Sequence, residues 1–176
     1  MRKTLFSVAV MTALGVCGSA SAQNMTNTMD FNMNGFTVRG GVGLVIDNNL
    51  SDFANTLINV GVDYTIPNTL IPGAETFLSI DYFFKGLGGE KGSIIPIAIN
   101  GRWHDKGAFG TRNYVYGGIG LTVLDIVSTS TKFGLRGGFG KELSEAIVFE
   151  LGVTYSEADA SNAKNTQFTL NLGYRF

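Results

Sequence analysis

One cysteine, one histidine and one tryptophan occur in 176 residues, and charged side chains make up only 15% of the chain. The cysteine, Cys17, lies in a first segment that reads as removable. The remainder then has no thiol for a disulfide or for thiolate chemistry. Side chains for a metal site are not clustered anywhere. Charge is scarce and nearly balanced, 13 Lys and Arg against 14 Asp and Glu, so no basic patch is available for nucleic acid. After the first segment no apolar run is long enough for a membrane-spanning helix. There is no stripe of helical period and no low-complexity linker, and the length fits one domain.

What is plentiful is glycine, 24 residues, with aromatics at 11% and a mean hydropathy of +0.17. Moderate hydrophobicity spread thinly, with little charge, suits a strand that hides only half its residues in lipid. The N-terminus reads as a secretory signal. Arg2 and Lys3 precede a short apolar stretch over residues 5–16, and Ala20-Ser21-Ala22 supplies small residues for cleavage. Residues 1–22 are therefore expected to be removed, and 23–35 to form a short polar lead-in. Val16 is a poor fit to the small residue that lipoprotein processing requires before Cys17. The 154 residues left carry 11 basic and 14 acidic side chains.

From Phe36 onward the dominant period is two, the period of strands. Eight segments show it: 36–46, 57–66, 76–84, 93–104, 113–124, 132–141, 146–155 and 167–176. Their lengths match a tilted strand crossing a bilayer. Between them lie Pro-Asn and Pro-Gly turn signals in 67–75 and a tight connection over 141–145. The other connections, 47–56, 85–92, 125–131 and 156–166, read as polar or glycine-rich loops on the opposite side. An even strand count lets an all-β antiparallel up-and-down sheet close without an unpaired edge.

The last segment alternates most cleanly. Phe168, Leu170, Leu172, Tyr174 and Phe176 share one face; Thr169, Asn171, Gly173 and Arg175 share the other. Here the chain resembles the small bacterial outer-membrane β-barrels of the OmpA, OmpX and OmpW type, which end in such a strand with a terminal Phe. The resemblance implies an eight-stranded transmembrane barrel over 36–176 and location in the outer membrane after signal cleavage. It implies a monomer surrounded by outer-membrane lipid, needing no cofactor. Periplasmic chaperones and the barrel-assembly machinery would be its partners during biogenesis, with the five residues from Phe168 to Phe176 as the assembly signal.

Two observations set the orientation of the faces. The apolar face, continued by residues such as Val60, Ile80, Ile97, Ile119, Leu135 and Leu151, carries no charge in the middle of the expected strands. A charge there would cost ~2–4 kcal/mol at the bilayer midplane. The other face is rich in glycine, including Gly41, Gly61, Gly118, Gly138 and Gly152, which suits a narrow lumen filled by side chains. Aromatics near the strand ends, Tyr82, Phe84, Phe133 and Tyr155 on one side and Trp103, Phe139, Tyr174 and Phe176 on the other, read as interfacial girdles.

The glycine-rich face also carries Arg39, Asp63, Asp81, Arg102, Arg136, Glu150 and Arg175. Ions in so confined a space are expected to pair, forming a lumenal charge network. The function read from this is a structural or integrity barrel with a plugged lumen. The alternative is a narrow passive channel for small or hydrophobic solutes. A lumen without a continuous gap favours the first, and a lateral opening or apolar tunnel the second. His104, followed by Asp105, could serve a lipid-modifying enzyme as a base if a serine or carboxylate partner stood at the lipid boundary, but no nucleophile motif accompanies it. The glycine runs 40–43, 117–120 and 137–140 neither enter a helix nor complete a phosphate-loop spacing.

Overall fold

A computed structural model describes residues 35–51, 54–67, 70–85, 92–104, 112–126, 129–158 and 164–176. The expected signal segment 1–22, the expected lead-in through residue 34 and Asp105 lie outside the described residues. Eight antiparallel strands close into one barrel in sequence order. They are β1 (Phe36–Val45), β2 (Thr56–Thr65), β3 (Glu75–Phe84), β4 (Ser93–His104), β5 (Asn113–Asp125), β6 (Thr129–Glu142), β7 (Ile147–Ser156) and β8 (Gln167–Arg175). Closure is made by β1 against β8, from Thr37 opposite Arg175 to Val45 opposite Gln167.

Both ends of the barrel follow from local chemistry. At the turn end, Gly73 takes a φ of 73°, a conformation that costs glycine nothing. Thr76 Oγ1 there accepts the amides of Leu70 and Ile71 at 3.1 and 3.4 Å. In the β6–β7 turn, Ser144 Oγ accepts the amide of Ile147 at 3.0 Å. The C-terminus lies at the same end, where the Phe176 amide donates to the Phe36 carbonyl at 3.0 Å.

Two departures from the expected layout occur at the loop end. Segment 125–131 is not all loop: Asp125 pairs with Thr129 in the β5–β6 ladder, and Thr129 Oγ1 donates to Asp125 Oδ1 at 3.0 Å. The first connection contains a single helical turn, α1 (Asn48–Ser51). Its Leu50 is 1% exposed, turned into the barrel mouth.

The pleat then sorts the side chains. Outward residues such as Ile119, Leu121, Phe168 and Leu172 are more than half exposed. Together with the outward residues of the other strands they make a continuous apolar wall, far larger than a soluble monomer leaves open. Asp125 and Lys141, exposed and in register with this wall, stand at strand ends. The interior is the more polar side: eighteen buried polar or charged residues against twelve apolar ones among the described residues.

Candidate functional site in the lumen

Inward side chains form successive layers from the loop end to the turn end. At the loop end, the wall made by β2 to β5 is apolar. Leu57, Phe83, Ile94 and Leu124 pack with Leu50 and Ala54 from the first connection. Asp47 Oδ1 holds this stopper, accepting the amides of Leu50 at 3.0 Å and Lys164 at 3.3 Å. The opposite wall is polar, with Ser156, Asn165 and Gln167 all fully buried.

Below it sits the ion layer. Arg39 of β1, its side chain fully buried, reaches three carboxylates on three strands. Its Nη2 donates to Asp63 Oδ1 at 2.8 Å and to Asp81 Oδ1 and Oδ2 at 3.0 and 3.1 Å. Its Nη1 donates to Glu150 Oε2 at 3.1 Å. Arg136 Nη1 donates to Asp81 Oδ2 at 2.9 Å. The Tyr114 hydroxyl donates to Glu150 Oε1 at 2.8 Å. Asn59 Nδ2 ties Asp81 Oδ1 to Asn171 Oδ1, at 3.2 and 2.9 Å. Seven of the eight strands thus contribute to one polar group. A charge in low dielectric is tolerated only when paired in this way, and a planar guanidinium can serve several carboxylates at once.

Missing β-carbons make the room. A Cβ on Gly61 would collide with Asp81 Oδ1, and one on Gly140 with the Tyr114 ring. The Tyr116 hydroxyl occupies the corresponding space above Gly138 and Gly152. Glycine on this face therefore converts wall volume into volume for arginine and tyrosine.

The next layer is aromatic. Phe77, Tyr114 and Tyr116 cluster in the lumen, with the Arg102 guanidinium 4.6 Å from the Phe77 ring centroid and 4.8 Å from that of Tyr114. Such contacts suit a guanidinium that is only partly hydrogen-bonded. At the turn end Arg102 Nη1 donates to Glu75 Oε1 at 3.1 Å, and Arg175 Nη1 to Glu142 Oε1 at 2.9 Å. His104 Nε2 stands 3.6 Å from Glu142 and 3.9 Å from Glu75.

Of the seven charged residues singled out by alternation, five meet directly: Arg39, Asp63, Asp81, Arg136 and Glu150. Arg102 and Arg175 do not join them; they pair at the rim with Glu75 and Glu142, which the sequence reading left in turns. Tyr114, Tyr116 and Asn59 were also missed, although their alternation with Val115, Ile58 and Val60 places them inward; Asn171 was placed on the inner face but not among the charged set. His104 has carboxylates nearby, yet each is already held by an arginine, and its ring leans on buried Tyr114 at 5.6 Å. Phe168, Leu170, Leu172, Tyr174 and Phe176 all lie on the outer wall, between 45% and 56% exposed.

No protein-family model and no curated protein sequence matches the chain. Solved structures do. A de novo designed transmembrane β-barrel aligns with a TM-score of 0.55 at 12% identity, covering 81% of this chain and 97% of that one. The attachment invasion locus protein Ail of Yersinia pestis aligns with a TM-score of 0.52 at 14% identity, covering 81% and 99%. Neisserial surface protein A aligns with a TM-score of 0.51 at 10% identity, covering 81% and 98%. At these identities the likeness is one of fold: this chain has the fold of the small eight-stranded outer-membrane barrels.

Proposed function

We propose that this protein is an integral outer-membrane barrel that strengthens the membrane while its lumen stays closed to ions and solutes. The carrying observation is Arg39, which joins β2, β3 and β7 across the lumen centre through carboxylates within 3.1 Å. An exposed apolar wall around a charge-paired interior supports burial in lipid, since the reverse arrangement is what water requires. Residues 1–22 direct export and are cleaved. The strand ending in Phe176 is the segment read by the barrel-assembly machinery after periplasmic chaperones deliver the chain, and the barrel works as a monomer.

The test is conductance and solute uptake in vesicles carrying the purified protein. Intact protein is expected to give no steady current and no uptake of small sugars. Arg136→Ala, which removes one of the two donors to Asp81 Oδ2, is expected to introduce brief small openings. A large steady conductance from intact protein would replace this reading with the passive channel.

A further inference from the structure

Among the described residues, eleven buried side-chain nitrogen and oxygen atoms have no hydrogen-bonding partner within the protein. They are not scattered. At the loop end they are Ser130 Oγ and both polar atoms of the Asn165 and Gln167 amides. In the ion layer they are Arg39 Nε, Asn59 Oδ1 and Asp63 Oδ2; toward the turn end they are Asn100 Oδ1, Arg102 Nε and Arg175 Nη2. So many unmet groups are incompatible with the marginal stability of a small domain. Water is the ligand that supplies both donor and acceptor at every level.

A second observation lies between the upper two of these levels. A cavity of about 10 Å³, the size of one water, lies in the wall of β4 to β7, with Pro96, Ala98, Thr122, Arg136 and Thr154 on its lumen side and Ile97, Leu121 and Leu135 toward lipid. It lies between the ion layer, through Arg136, and the polar side of the loop-end mouth, through Thr154, the ladder neighbour of Gln167. The apolar stopper of Leu50 and its neighbours packs against the β2–β5 side of that mouth, with Val45 and Ile126 beside it. The β6–β8 side is where Ser130, Asn165 and Gln167 stand.

We infer that the lumen is a water path: a file of single waters runs down the polar side of the plug and lets water, but not ions, cross the barrel. This rests on the closed-barrel reading and deepens it. An ion entering a gap one water wide would shed its hydration shell and meet fixed charges of both signs at Arg39, Arg136, Asp63 and Asp81. A water exchanges one hydrogen-bond partner for another.

The experiment uses the full mature chain folded into phosphatidylcholine vesicles, with folding verified by the shift of the unheated band in an electrophoresis gel. Stopped-flow light scattering after a hyperosmotic sucrose step reads water efflux, and planar-bilayer recording reads ions. Vesicles with the protein are expected to shrink severalfold faster than protein-free ones, with current at the bilayer baseline. Ala98→Leu fills the one-water cavity and is expected to return shrinkage to the protein-free rate. Thr154→Val keeps the shape and removes a hydroxyl from the same wall, so it serves if Ala98→Leu does not fold. Folded wild-type protein shrinking no faster than empty vesicles, without current, overturns the water path alone. So does a folded blocking variant as fast as wild type. A steady ionic current overturns the closed-barrel reading, and with it the selectivity claimed here.

Discussion

Three carboxylates converge on the Arg39 guanidinium at 2.8 to 3.1 Å, and among the described residues no other side chain donates to the Asp63 carboxylate. Removing the cation strands charge in a buried site, so Arg39→Ala should cost ~3–5 kcal/mol of unfolding free energy. Urea titration in detergent micelles, followed by the fluorescence of Trp103, the sole tryptophan, measures it; a loss under ~1 kcal/mol would mean that the ions are not load-sharing. Gly140→Ala places a methyl in the Tyr114 ring and should cost ~1–3 kcal/mol. Gly117→Ala is its control: the added carbon meets only the Arg136 carbonyl oxygen, at 3.9 Å, and the change should stay within ~0.5 kcal/mol. Alternation was enough to place Arg39, Asp63 and Glu150 on one face. It could not say which would touch, because Arg39 meets Glu150 across the lumen, on a strand that is not its ladder neighbour. Nor could it reach Glu75 and Glu142, which stand at strand ends where turn signals hid them.

Among the elements, the eight strands were legible because each keeps a dominant period of two against an outer wall without charge in its middle. β6 was read short because Thr129, Ser130 and Thr131 resemble loop residues, whereas pairing with β5 holds them extended. α1 was not legible: Asn48–Ser51 is four residues with no helical stripe. The available clue lay elsewhere, in Leu57, Phe83, Ile94 and Leu124, inward positions near one end that are apolar on an otherwise polar face. Leu50→Ala should cost ~2 kcal/mol and make the first connection easier to cut, measured by the rate of limited proteolysis in detergent. Along β5, Ile119 stands at mid-strand and is 55% exposed on the outer wall. Ile119→Lys should cost ~2–4 kcal/mol in vesicles. The natural Lys141, on the same wall but near the end of β6, shows where a cation is tolerated.

At the scale of the molecule, the outer wall predicts that purified protein stays monodisperse only with detergent or lipid, and size-exclusion chromatography after detergent removal should show aggregation; a stable monomer in plain buffer would contradict the placement of this wall in lipid. The same inversion of polarity was the most legible property of the chain, since it depends on composition by face and not on any single contact. The partners of Arg39 lie 24, 42 and 111 residues away along the chain. The nearest two can assemble in a hairpin with β3, but Glu150 arrives only when β7 and β8 have swung round to meet β1. A half-wrapped sheet would therefore carry an excess of anions facing hydrocarbon, and that species is disfavoured on both routes out of it. Insertion should accordingly proceed without a long-lived intermediate. The seam between the first and last strands is then sealed from the inside, by an electrostatic latch that engages last and must release first.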